Sequence, residues 1–145
     1  MGGKKRFEFL EHTADVYIAA YGRDLAEAFE NAAYAMFEVM TDAGKIVPRI
    51  EESIQVTAAD EYGLLYSWLE SLLVKFDTEQ TMYSKFEIAG IDRGNGGFSL
   101  TARVWGERFD ARRHPQRVGI KAVTYHRMEI IREPKAVTVK FILDI

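Results

Sequence analysis

The sequence predicts an α+β fold, and three observations carry that prediction. A segment from Glu61 to Phe76 repeats its apolar residues at helical spacing, and the segments after it switch to a period of two. The whole pattern runs strands, helix, strand, helix and then several antiparallel strands, an order that argues for α+β and against alternating parallel units. The chain has 145 residues, 48% hydrophobic and 28% charged, enough for one globular domain over 1–145 that buries roughly 70% of its unfolded surface. Three prolines, dispersed glycines and the lack of an internal repeat leave no reading of an interdomain linker.

The elements follow in order. Arg6 to His12 alternates Phe7 and Phe9 with Glu8, and Val16 to Tyr21 is a second short strand after a polar break at Thr13 to Asp15. Asp24 before Leu25, with Glu27 three residues on, is a capping-box pattern. It opens a helix whose Leu25, Ala28, Phe29, Ala32, Met36, Val39 and Met40 fall on one face, and Gly44 is its expected stop. Glu51 to Thr57 reads as a half-buried strand with Ile54 and Val56 on one side. Asp60 caps the second helix, where Leu64, Leu65, Trp68, Leu69, Leu72, Leu73 and Phe76 recur every three or four residues. Phe86 and Ile88, then Phe98, Leu100, Ala102 and Val104, predict a hairpin across Asn95-Gly96. Ala122 to Ile131 and Val137 to Leu143 form another pair around Glu133-Pro134.

Composition excludes several kinds of chemistry. Without cysteine there are no disulfides, thiolate zinc sites or cysteine nucleophiles, and a reducing compartment is the simpler expectation. No apolar run approaches the roughly 18 residues of a membrane span, and Met1 to Arg6 lacks the apolar core of a signal peptide, so the expected location is the cytoplasm, away from membranes. The net charge of −3 conceals an asymmetry: residues 1–80 carry 7 Lys and Arg against 15 Asp and Glu, whereas residues 81–145 carry 12 against 7. A chain-wide polycation is excluded, but a local basic patch is not.

Asp15 stands at the strand-to-strand break, where the simplest reading is a turn aspartate bonded to nearby amides. At the far end, Val137, Val139, Phe141 and Leu143 share one strand face, which turns Asp144 away from the core beside the carboxylate of Ile145. Ordinary termini fray, so an apolar strand running to Asp-Ile implies an end that is packed or used. If Asp15 approaches that end, three carboxylates crowd together, an arrangement that is either repulsive or a site for a hard divalent cation such as calcium or magnesium.

From Arg108 to Lys121 the chain carries Arg108, Arg112, Arg113, Arg117, Lys121 and His114 against one Asp110, and Pro115 and Gly119 make it irregular. This segment is either a phosphate- or RNA-backbone contact or a solvated basic loop, and Phe109 and Tyr125 give it no stacking platform. Lys121 lies where the loop meets the next strand. His12, His114 and His126 are too scattered for a zinc motif and read as structural or surface residues. Gly94-Asn95-Gly96-Gly97 joins two strands, whereas phosphate loops open helices. No nucleophile elbow marks a serine.

Taken together, Glu11-His12-Thr13-Ala14-Asp15-Val16, Met40-Thr41-Asp42, Lys121-Ala122-Val123-Thr124-Tyr125-His126 and the terminal Asp144-Ile145 resemble the archease family. The likeness runs nearly end to end and includes the two helices and the segment Leu72-Leu73-Val74-Lys75-Phe76. The resemblance implies a layered sandwich of antiparallel sheets and helices. It also implies an accessory protein, not itself an enzyme, that activates the tRNA-splicing RNA ligase. Such a protein promotes guanylylation and multiple turnover of the ligase and broadens its nucleotide use. A calcium-type divalent metal site is implied at Asp15, Asp144 and Ile145. Lys121 and His12, with the loop residues Arg112, Arg113 and Arg117, are the expected contacts to ligase, nucleotide or RNA, with any approach to RNA or GTP made at the ligase site. Two other classes compete: an autonomous metal-dependent phosphoesterase or nuclease, and a basic-loop RNA-binding module.

Overall fold

A computed structural model describes residues 5–10 and 15–145. Its strands are β1 (Phe7–Leu10), β2 (Val16–Gly22), β3 (Ile50–Ala58), β4 (Thr81–Gly94), β5 (Gly97–Arg108), β6 (Ala122–Val123), β7 (Glu129–Glu133) and β8 (Ala136–Asp144). The helices are α1 (Leu25–Met40) and α2 (Glu61–Glu79). One antiparallel sheet runs β1-β2-β8, with β6 and β7 both on the free side of β8; the other runs β3-β5-β4. This is the expected α+β sandwich. Among the described residues no helix is long and apolar enough to cross a membrane.

Asp24 starts α1 as expected, its side chain accepting from the Glu27 amide at 2.8 Å. Glu27 reaches back to the Arg23 amide at 2.7 Å, one residue before the cap, and so satisfies a donor just outside the helix. The apolar stripe expected on one face is too narrow. Asn31, Ala33, Ala35 and Phe37 are buried as well, because α1 lies between the two sheets and packs on β2 and β8 on one side and on β4 on the other. Small alanines let both sheets approach. The helix ends at Met40, where Thr41 turns extended, and Gly44 instead falls within a 3-10 turn, Ala43–Lys45; the expected stop at Gly44 is therefore three residues late.

In α2 the Asp60 carboxylate accepts from the Gly63 amide at 2.7 Å, and the helix continues past Phe76 to Glu79, where Gln80 closes it at a left-handed φ of 59°. Leu64, Leu65, Trp68, Leu69, Leu72 and Leu73 are buried. The Trp68 indole N–H donates to the Phe29 carbonyl at 2.9 Å, joining the two helices through the core. Phe37 meets Tyr83 and Phe86, and Phe86 meets Trp68, so one aromatic cluster links α1, α2 and β4.

The β4–β5 hairpin forms across Asn95-Gly96, with Gly96 at φ 85°. Two register shifts interrupt it, between Tyr83 and Lys85 and between Ile88 and Gly90. At the first, β5 comes so close to β4 that a Cβ on Gly106 would lie 1.8 Å from the Met82 carbonyl oxygen. The strand expected from Ala122 to Ile131 is two strands. Ala122–Val123 pairs with Leu143 and Asp144, Glu129–Glu133 pairs with 136–140, and residues 124–128 leave the sheet with Arg127 at φ 57°.

Candidate functional site

The end of the larger sheet gathers several of the residues singled out from sequence. Val16 pairs with Leu143, so Asp15, one residue before β2, and Asp144, the last residue of β8, lie at the same end of neighbouring strands. On the opposite side of β8, Ala122 pairs with Asp144, and the Lys121 amide donates to the Asp144 carbonyl at 2.7 Å. Asp144 is held from both sides. Its side chain is exposed, as its position on the outward face of β8 requires, and Ile145 packs partly buried against the core. Three adjacent strand segments therefore carry Asp15, Asp144 and Lys121 to one rim.

None of those three side chains has a hydrogen-bond or ion-pair partner among the described residues. Most other charged groups among the described residues are engaged locally. Asp15 also borders a cavity of about 390 Å³ whose walls include Phe9, Glu38, Val39 and Arg117. Among the described residues no three His, Cys, Asp or Glu side chains gather closely enough to hold a metal ion. The donors this chain offers a hard cation at that rim are thus the Asp15 and Asp144 carboxylates and the main-chain oxygens at Ile145. They match a divalent ion in chemical type but fall short of the roughly six to eight oxygens that calcium takes. His12, together with Glu11, Thr13 and Ala14, lies outside the described residues.

The basic loop is organised differently from a free arginine patch. Glu107, on β5, is buried and accepts two bonds from the Arg113 guanidinium, at 2.9 and 2.8 Å, and one from the Val47 amide at 2.9 Å. The Arg113 fork holds its carboxyl well below the ordinary range, at about 2, against the opposing effect of burial. His114, fully buried, accepts from the Asp110 amide through Nδ1 at 2.8 Å, which leaves the proton on Nε2 facing Glu107 at 2.8 Å. The hydrogen bonds thereby assign a neutral ring, and His114 is a structural residue. Arg117 donates to the Glu38 carbonyl at 3.0 Å, and its own amide bonds the Met40 carbonyl, so this part of the loop closes the end of α1. Arg112 projects into solvent with 91% of its side chain exposed. Of the three loop arginines expected to make contacts, Arg113 and Arg117 hold internal partners and Arg112 extends outward.

Sequence reasoning missed Glu107 and Trp105. Both sit on the outward face of β5, where alternation alone marks a position as exposed. Tyr125, read as no part of a stacking platform, stacks on Tyr66 with centroids 4.5 Å apart.

The fold and this rim define a small two-sheet, two-helix protein that presents, among the described residues, two carboxylates and a lysine without side-chain partners. The family model for the archease protein family (MTH1598/TM1083) matches residues 7–145. The chain belongs to the archease family. It is 47% identical to the protein archease of Sulfurisphaera tokodaii over 97% of this chain and 99% of that one, and 45% identical to the protein archease of Methanothermobacter thermautotrophicus over the same shares. The solution structure of Methanobacterium thermoautotrophicum protein 1598 superposes with a TM-score of 0.84 at 44% identity, covering 97% of this chain and 99% of that chain. An archease from Thermotoga maritima, described as a possible chaperone, shares the fold with a TM-score of 0.60 at 18% identity over both whole chains.

Proposed function

We propose that this chain is an accessory activator of the tRNA-splicing RNA ligase, promoting guanylylation of the ligase's active-site histidine, sustaining multiple turnover and broadening nucleotide use. The observation that carries the reading is the rim formed by Asp15, Asp144 and Lys121, whose charged groups are held in place by strand pairing yet engaged with nothing else among the described residues. A protein that acts by completing another protein's site needs groups of that kind: pre-positioned, solvent-facing and unsatisfied.

A divalent cation, calcium by type, would neutralise phosphate charge where a nucleotidyl group is transferred. Asp15, Asp144 and Ile145 are its ligands in this proposal, and the short donor count leaves coordination positions for water or nucleotide oxygens. Lys121, whose backbone lies next to Asp144, is proposed as an ammonium contact to a phosphate. The β2–β8 register sets the spacing of the two aspartates, and the Lys121 amide bond to Asp144 keeps the lysine next to them. His12 and the loop arginine Arg112 are further candidate contacts to the ligase or its nucleotide. The cytoplasm, where ligase and tRNA meet, is the proposed location.

The test adds purified protein, in substoichiometric amount, to its cognate ligase with GTP and divalent metal, and follows guanylylated ligase and joined RNA over many turnovers. Stimulation is expected with the wild type and its loss with Asp144→Ala or Asp15→Ala, both folding normally. Full stimulation by both variants would refute the proposal. Phosphoester turnover by the highly purified protein alone would favour the autonomous-enzyme reading instead.

A further inference from the structure

The outer face of the three-stranded sheet has a composition that the rim does not explain. Leu100, Ala102 and Val104 of β5 are buried under the helices, which leaves Thr101, Arg103 and Trp105 on the outside. Trp105 sits between Glu51 of β3 and Lys85 of β4 in the pairing. The Lys85 ammonium lies 4.5 Å from the indole centroid and the Arg103 guanidinium 5.8 Å from it. Side chains two apart on a strand share a face and stand about 7 Å from one another, so Arg103, Trp105 and Glu107 form a row.

At the end of that row, Glu107 works as a gathering point. It draws Arg113 and Arg49 together from opposite sides, with the Arg49 Nε at 3.2 Å. Yet 61% of the Arg49 side chain remains exposed, so the guanidinium edge of Arg49 turned away from Glu107 faces solvent, whereas Arg113 is shared between Glu107 and Asp110. Arg108 and Arg113 border a shallow depression of about 550 Å³ with an apolar floor at Ile50 and Phe109. Four acids share this face and each holds a cation: Glu107 is buried under its arginines, Asp110 pairs with the Arg112 and Arg113 side chains, Glu51 with Arg103 and Glu87 with Lys85. On a chain whose net charge is −3, the six cations Arg49, Lys85, Arg103, Arg108, Arg112 and Arg113 still outnumber these four acids around one indole.

We propose that this face binds a single-stranded polynucleotide, with one base stacked on Trp105 and the flanking phosphates on Arg49, Arg112 and Lys85. An extended acidic peptide would use the same cations but has no need of the indole. A duplex hides the base faces that an indole can stack on, whereas a single strand offers them. On binding, Lys85 exchanges its position over the ring for a phosphate, and the base takes the ring face it leaves. Trp105 lies on the other sheet from the Asp15–Asp144 rim, and the proposal does not depend on the activator reading.

The probe is a short oligoadenylate added to the full chain at low salt, read by tryptophan fluorescence. Trp68, the other tryptophan, is fully buried, so a change on binding reports Trp105. Quenching is expected. Trp105→Leu should weaken binding by about fivefold to about 150-fold, the range for one base–aromatic stack. Arg49→Gln and Arg112→Gln should each flatten the slope of log K against log salt by about 0.7. Both arginines are solvent-exposed, so these variants test the surface even if the tryptophan variant folds poorly. No binding at low salt, a salt slope unchanged in both arginine variants, or polyglutamate binding where oligoadenylate does not would each overturn the proposal, the last in favour of an acidic peptide.

Discussion

Glutamate 107 offers the sharpest test of how the loop from Phe109 to Lys121 is held. Its carboxyl titrates at about 2 against an ordinary 4.5, so its folded-state interactions contribute about 3 kcal/mol at neutral pH. The folded value is the lower one. The contribution is therefore complete above about pH 4.5, declines below it and is lost as the pH falls through about 2. Between pH 7 and pH 3 the linkage relation gives a loss of about 2 kcal/mol from this group alone. Glu107→Gln keeps the shape and an acceptor for Val47 but cannot titrate. Urea unfolding of both proteins at pH 7 and pH 3 should show the wild type losing about 2 kcal/mol more than the variant, while the other carboxylates titrate in both and cancel. Equal pH dependence would refute the claim that Arg113 and Glu107 form the fastening of the loop.

Other substitutions test other parts of the fold. Gly106→Ala places a methyl 1.8 Å from the Met82 carbonyl oxygen and 2.7 Å from the Tyr83 Cα, backbone that cannot yield without parting β4 from β5, and a loss of roughly 3 kcal/mol or more is expected in urea unfolding. Trp68→Phe removes the indole bond to Phe29 and some core volume, and should cost about 1–3 kcal/mol by the same measurement. Asp24→Ala leaves the Glu27 amide without its cap and should cost about 1 kcal/mol, read as a lower thermal midpoint. Asp144→Ala, at an exposed side chain with no partner among the described residues, should leave the midpoint within about 0.5 kcal/mol of the wild type, which separates any loss of ligase stimulation from loss of fold.

What was legible in the sequence is what local rules determine. Asp60 and the three-to-four spacing from Leu64 to Phe76 define α2 because its apolar residues face one way and its cap lies next door. In α1 the second buried face escaped notice because it is built from Ala33 and Ala35, which carry almost no amphipathic signal, and from Asn31, whose amide is satisfied by Arg6 and the Tyr21 carbonyl. The break between β6 and β7 was hidden because Arg127 adopts its left-handed φ without a glycine to announce it. At the rim, alternation along β8 correctly turned Asp144 outward. The placing of Asp15 beside it depends on the β2–β8 register, a pairing between opposite ends of the chain that no local pattern encodes. The loop arginines were visible as charges, but their capture by Glu107 was not, since a glutamate alternating with buried valine and glycine looks like any solvent-facing residue.

The position of β8 has a consequence for how the molecule is made. It is the last strand in chain order, yet it is the one that joins β2 to β6 and β7. As the polypeptide leaves the ribosome, the β3-β5-β4 sheet is complete early, while β2, whose Ile18 and Ala20 are buried in the folded protein, waits for β8 with one edge open. An unpaired apolar edge accepts any suitable strand, including one from a neighbouring nascent chain. Slow translation between β2 and β8 would lengthen that exposure, and fast delivery of β8 would shorten it, so the yield of folded protein should depend on how quickly β8 follows.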